Sequence, residues 1–252
     1  MNATTTLPTR KDEAWRYSAV EALDGVDLDA WRAIDVAAGE TFRECLTIED
    51  GPGTGASELR RLRVTLGAGA RCELFAVIAA TELGRIEVEV RLAEGAHFEL
   101  GGVTLGGRET VREFVTRVVH AEPGATSNQV VRAVHWGRGT GNFLGNIDVV
   151  RDAQQTDAAQ SFKGLLLEKG ASVNAVPQLE IFADDVKCAH GASVGQMDEM
   201  ARYYMAARGL SPELSRRLLV QAFIGDAFVA LDDEGERERM MGIALAKLDK
   251  HL

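Results

Sequence analysis

The chain has little cysteine: Cys45, Cys72 and Cys188 are its only three, odd in number and far apart. They form no CxxC pair and no disulfide framework, which points to a reducing compartment, with the cytoplasm as the expected location. Basic charge is also in short supply. Acidic side chains number 38 against 28 basic ones, for a net charge of −10. Such a chain repels phosphate backbones, and its short basic clusters, such as Arg60-Arg61 with Arg63, suit a solvated strand face, so no nucleic-acid role is expected. No apolar run approaches the roughly 20 residues that span a bilayer, and Met1 to Arg10 lacks the apolar core of a secretory signal, so no membrane role is expected. A P-loop and a G-x-S-x-G nucleophile elbow are likewise missing from the sequence. Nothing in it demands an enzyme.

What is present is an ordinary globular balance, with 46% hydrophobic and 26% charged residues in a chain long enough to bury a sizeable core. The stretch from Arg10 to Ala33 mixes charges with Trp15, Tyr17, Leu23, Leu28 and Trp31. It reads as an irregular or helical lead-in whose aromatics dock elsewhere. The run Glu49-Asp50-Gly51-Pro52-Gly53-Thr54-Gly55 then breaks the chain.

From about Leu62 to Ala192 the pattern is of strands. Leu62, Val64 and Leu66 alternate with other residues, as do Ile86, Val88 and Val90, and Val111–His120 and Asn128–Val134 are β-branched runs. A Gly-Ala pair recurs at Gly69, Gly95, Gly124, Gly170 and Gly191, with spacings of 26, 29, 46 and 21 residues. Periods of this size mark stacked repeats, and short strands with small-residue turns suit a solenoid of β-coils. The pattern alone leaves a β-sandwich equally open. After Gly195 the character is helical. Met197, Met200, Tyr204 and Ala207 share a stripe, Gly209 suits the residue just past a helix end, and Ser211-Pro212 suits an N-cap and first turn. Leu214, Leu218, Leu219, Ala222, Phe223 and Phe228 give an apolar helix to about Leu231. A last amphipathic helix follows with Met240, Ile243, Leu245 and Leu248. The expected division is therefore a lead-in over 1–40, a β-rich body over 41–195 and a helical domain over 196–252.

The densest polar constellation is Ala183-Asp184-Asp185-Val186-Lys187-Cys188-Ala189-His190-Gly191-Ala192. As a strand it points Asp184, Val186, Cys188 and His190 to one face, so that a thiol and an imidazole can reach one small ion or cluster. Two side chains do not close a four-coordinate site, and the missing ligands would have to come from another chain or from distant parts of this one. The plain alternative is a small buried Cys188 beside a backbone-satisfied His190. Gly137 to Gly145 is glycine-rich but reads as a turn between strands. His97, His120 and His135 read as structural or surface histidines, and Cys45 and Cys72 as core residues.

The run from Pro177 to Gly195 closely resembles the signature of the SufB/SufD family. Met197-Asp198-Glu199, Tyr203-Tyr204 and Arg208-Gly209-Leu210 continue the resemblance. Gln154, Thr156-Asp157, Gln160 and Leu165-Leu166-Leu167 look like the region preceding it, and Pro8 to Tyr17 is similar to the family's opening motif. The absence of cysteine between Leu165 and Leu179 resembles the SufD branch rather than SufB. The resemblance implies a mainly β fold: a right-handed parallel β-helix body with a helical C-terminal domain and a short N-terminal lead-in. It implies a non-catalytic scaffold that pairs with SufB through the β-helix and docks the ATPase SufC through the helical domain, for which Phe223, Leu218 and Leu219 are the candidate surface. It also implies a nascent iron–sulfur cluster held transiently and shared with SufB. His190 and Cys188 match the family's interface positions and are the candidate ligands. A sulfur donor would act indirectly, and a reduced flavin could join the complex. The chain is shorter than most SufD proteins. Two other readings stand beside this one: a β-solenoid enzyme, such as an acyltransferase using His190 as a base, and a standalone metal carrier.

Overall fold

The computed structural model describes residues 7–50 and 57–251. Most of the glycine-rich break after Asp50 lies outside them. The body is built from twelve strands: β1 (Trp31–Val36), β2 (Thr41–Ile48), β3 (Ser57–Leu66), β4 (Arg71–Ile78), β5 (Leu83–Leu92) and β6 (His97–Gly106), then β7 (Val111–His120), β8 (Thr126–His135), β9 (Thr140–Val149), β10 (Asp157–Leu166), β11 (Ser172–Ile181) and β12 (Lys187–Gln196). Odd-numbered strands form one six-stranded parallel sheet and even-numbered strands the other. Each successive odd–even pair is one coil of a parallel β-solenoid. This settles the choice that the strand pattern left open. The first strand begins at Trp31, inside the stretch read as lead-in.

Stacking of coils decides which residues face inward. Side chains alternate along each strand, and strands paired in register keep equivalent residues on one face. Leu62, Val64 and Leu66 of β3 therefore lie over Val88, Val90 and Leu92 of β5. Together with Leu74, Ile78, Phe98, Phe114 and Phe143 they fill the space between the sheets.

The corners repeat as well. Gly39, Gly69, Gly95, Gly124 and Gln155 each stand two positions before the first residue of an even strand, all with φ between 60° and 73°. Each sends its N–H to a carbonyl in the next coil, the oxygens being those of Ala68, Glu94, Pro123, Gln154 and Asp185. A left-handed conformation costs nothing at glycine and about 1–2 kcal/mol at Gln155. Gln155→Gly is expected to raise stability by about 0.5–1 kcal/mol, read as a higher urea midpoint; an unchanged or lower midpoint would show the corner is unstrained. Only the first three Gly-Ala pairs belong to this column. Gly170 sits at the opposite corner, before β11, and Gly191 lies within β12.

Both outer sheet faces are partly covered. On the odd sheet, Trp15, Leu23 and Leu28 of the lead-in pack with Leu83. The Arg85 guanidinium lies 3.8 Å from the Trp15 ring centroid and pairs with buried Glu113 at 3.2 Å. On the even sheet sits the helical tail: α1 (Glu199–Ala207), α2 (Pro212–Gly225), a short 3-10 turn (Asp226–Phe228) and α3 (Glu234–Asp249). The Ser211 hydroxyl caps α2 by accepting from the Leu214 N–H, Pro212 opens the helix, and Gly209 holds the positive φ expected after α1. Val220, Ile224, Phe228, Leu231, Met240, Leu245 and Leu248 pack on Phe75, Val77, Val103, Leu105 and Val134. The turn comes closest at β6, where a Cβ on Gly101 would collide with the Ala227 carbonyl oxygen. Arg132, buried on β8, reaches Asp226 with its Nε at 3.1 Å and fixes the tail's position.

Candidate functional site

The two ends of the solenoid differ. At the first coil, Arg32 of β1 stands over Leu62 and Glu44 of β2 over Leu74, both therefore on the inward face. Their side chains meet in a two-point pair, Nη1 to Oε1 at 2.7 Å and Nη2 to Oε2 at 2.9 Å. A guanidinium–carboxylate plug thus ends the apolar interior, as the polar face of a terminal repeat should.

The last coil, β11 and β12, carries no such plug. Among the described residues no strand pairs with its outer edges, and both strands are ten residues long against six and eight at the plugged end. Long open edges are templates for pairing with another chain. Their surroundings are apolar: Ile181 and Val194 are exposed, and Phe182 is 65% exposed. Helix α1 follows directly and has no buried residue. Its Met200 and Tyr203 are 75% and 73% exposed. Of the stripe that the sequence offered for burial, Met197 packs partly against the apolar cluster of the tail and even sheet, while Met200 and Tyr204 stay exposed.

Cys188 and His190 lie at this end. The strand that carries them starts at Lys187, so Asp184 and Asp185 fall in the preceding turn. Cys188 pairs in register with Ala158 and His190 with Gln160, two inward positions of β10. Both side chains therefore face the inside of the last coil, beside Pro177 and Leu179 of β11, which continue the inward columns of Gly145 and Ile147. Cys188 is half-buried against the cluster of Ile147, Val149, Ala153 and Ala158. Burial, with a contribution from the nearby Asp157 carboxylate, raises its pKa, so it rests as a thiol and needs an incoming cation to lose its proton. The His190 ring is exposed and makes no hydrogen bond among the described residues. No three His, Cys, Asp or Glu side chains cluster closely enough to hold a metal ion among the described residues. The two donors present suit a soft or borderline cation, and the rest of a coordination shell must come from outside the chain.

The other cysteines and histidines sit elsewhere. Cys72 is wholly buried, its pKa pushed up to about 12 by burial. Cys45 is only half-buried, on the outer face of β2 against the helical tail, and is pushed up to about 11 by burial and by Glu236. His120 and His135 are buried with hydroxyl partners, Ser127 and Thr104. A groove of about 290 Å³ lies under the lead-in, lined by Tyr17, Val115, Leu144, Val176 and several charged side chains, on the outer face of the odd sheet and away from His190.

Of the three helix positions, Phe223 packs partly into the tail's core, and Leu218 and Leu219 are half-buried on α2. The exposed apolar residues of this region are Leu214 and Val229, at 45% and 73%. Sequence periodicity put Leu214 on the apolar helix face and passed over Val229, because an exposed leucine or valine looks like a core one until its helix is docked. No helix among the described residues is long and apolar enough to cross a membrane.

Comparison with known proteins is consistent with this geometry. Residues 43–223 match the model of the family described as SUF system FeS cluster assembly, SufBD core domain. The iron–sulfur cluster assembly protein SufD of Escherichia coli is 31% identical over 148 residues, covering 59% of this chain and 35% of that protein. The chloroplastic protein ABCI7 of Arabidopsis thaliana is 36% identical over 158 residues, covering 62% and 33%. A SufBD family protein of Synechocystis is 32% identical over 165 residues, covering 65% and 36%. The chain spans about a third of the length of these relatives.

Proposed function

Because the chain belongs to the SufBD core family of the SUF iron–sulfur cluster assembly system, we propose that it is a SufD-like, non-catalytic scaffold of that system. In this reading the open last coil pairs with the SufB paralogue, and the helical tail docks the ATPase SufC. The observation that carries it is the asymmetry of the solenoid. A chain built to stand alone would close both ends. This one closes the first coil with Arg32–Glu44 and leaves the other with exposed edges, Phe182, Val194 and the inward-facing Cys188 and His190.

A partner strand laid on β11 or β12 would continue the parallel or antiparallel ladder and roof over the two donors. The nascent cluster is cargo at that junction. His190 offers an imidazole nitrogen, and Cys188 a thiolate once the cation has displaced its proton. The partner supplies the remaining ligands, so neither chain alone holds the cluster tightly. Leu214 and Val229, beside the candidate Leu218, Leu219 and Phe223, give SufC an apolar surface on a tail anchored by Arg132–Asp226.

The test is co-expression with SufB and SufC of the same source, followed by affinity purification and size-exclusion chromatography. The expected result is a three-component complex. His190→Ala should leave that complex intact, because an exposed residue contributes little to folding, while cluster assembly falls at least tenfold by absorbance and iron content. Elution of this chain alone, or normal assembly with His190→Ala, would refute the scaffold role and the site respectively. A stable brown cluster on the isolated chain would favour a standalone carrier.

A further inference from the structure

The interior of the solenoid changes character along its length. In the column that ends at His190, the even sheet reads Glu44, Leu74, Leu100, Gln129, Gln160, His190. The facing column of the odd sheet reads Arg32, Leu62, Val88, Thr116, Gly145, Pro177. The order is a polar plug, two apolar layers, two polar layers and the open end.

The two polar layers are not satisfied by the chain. Gln129 is 0% exposed and Thr116 2%. Among the described residues neither the Gln129 Oε1 nor its Nε2 has a hydrogen-bond partner, nor has the Thr116 Oγ1. One coil nearer the open end, the Gln160 Nε2 donates to the carbonyl oxygens of Gly145 and Gln178, at 3.4 and 3.2 Å. Its Oε1 is unpartnered. Each buried orphan forfeits the hydrogen bonds that water gives it in the unfolded chain, and four together would weigh heavily on a marginally stable domain. Leucine and valine fill the same columns in the two preceding coils, so the geometry does not require polar residues here. The missing partner must be small, and it must both donate, to the Gln129 and Gln160 Oε1 atoms, and accept, from the Gln129 Nε2.

We propose that the interior of the fourth and fifth coils is a water-binding column, in which ordered water links Thr116, Gln129 and Gln160 and reaches the inward face of His190. The column supplies the hydrogen bonds that the chain lacks. Its consequence for function rests on the scaffold reading above. When a partner roofs over the open end, His190 loses bulk solvent on its outer side and keeps a hydrogen-bonded route to water on its inner side. A small protic species can then be exchanged at the junction without opening it.

The test is water-to-protein nuclear Overhauser spectroscopy on the isotopically labelled full chain, combined with thermal unfolding. Cross-peaks from water to the side-chain NH2 groups of Gln129 and Gln160 are expected. In Gln129→Leu the Gln160 cross-peak should weaken at least twofold and Tm should fall by about 3–6 °C, because the remaining polar atoms lose their bridging water. Thr116→Val, which preserves shape, should act in the same direction with a smaller effect. Absence of the water cross-peaks in the wild type, or a higher Tm in either variant, would overturn the column, since a dry interior gains from losing its orphans. A hydrated interior with normal cluster assembly in His190→Ala would instead leave the column standing and remove the proposed site.

Discussion

Between pH 7 and pH 5 the fold will lose about 4 kcal/mol of stability to two histidines alone. His135 is enclosed, with its Nε2 at the Thr104 hydroxyl and its Nδ1 at the Gly106 carbonyl. Burial first, and then the neighbouring Arg112 guanidinium, push its pKa down to about 3. His120, beside Ser127, is pushed down to about 4 by burial. Both stay neutral in the native state as the pH falls, while in the unfolded chain they take up protons near pH 6.5. The unfolded state then binds more protons, so stability falls with pH below 6.5, by about 2 kcal/mol for each residue at pH 5. The loss continues until the native pKa values near 4 and 3 are reached.

The carboxylates act in a different window. For Glu73, burial works against ionisation, but hydrogen bonds from Arg71 and Arg43 prevail and its pKa is lowered. Its contribution is present above the ordinary carboxylate value and is lost only below it. Urea unfolding at pH 7, 6 and 5 separates the two effects, and His135→Gln should remove about half of the slope. A midpoint that does not move between pH 7 and 5 would mean that these imidazoles find protons or solvent in the native state.

The second large effect concerns the tail. Phe228→Ala should cost about 3–5 kcal/mol, the usual range for deleting a fully buried phenylalanine. Phe228 is wholly buried between the even sheet and the helices. It belongs to the same turn that approaches Gly101 and carries Asp226 to Arg132. Cooperative packing is concentrated there, so the tail should loosen while the solenoid holds. Calorimetry should show an early transition separating from the main one. In the co-purification experiment the variant should lose SufC and retain SufB. An early transition with SufC still bound would place the docking surface on the solenoid instead.

The strands were legible because one side of each is buried. Val111–His120 was marked by its β-branched run, and the structure gives β7 those bounds. The corners were legible only in part. The interval between stacked residues varies with corner loop length, from 26 between β3 and β5 to 32 between β9 and β11. A Gly-Ala pair in another place therefore passes for a member of the series, as Gly170 and Gly191 did. That Cys188 and His190 share a face followed from their spacing, but which face did not. The strand around them is Ala189, Gly191, Ala192 and Ser193, too small to show an apolar side. Only pairing with Ala158 and Gln160 makes that face the inner one. The links that tie the tail to the body, such as Arg132 to Asp226, join residues 94 positions apart and leave no local trace in the sequence.

The Arg32–Glu44 pair has a bearing on stoichiometry. A stack of coils with two alike, adhesive ends would add copies head to tail without limit, as heterologous contacts that do not close produce filaments. Here one end offers paired charges and short edges, and a copy arriving there would have to strip water from a guanidinium and a carboxylate already matched to each other. On the scaffold reading, growth through the ends is therefore monovalent: each chain would be extended once, from the β11–β12 coil, to give a finite pair.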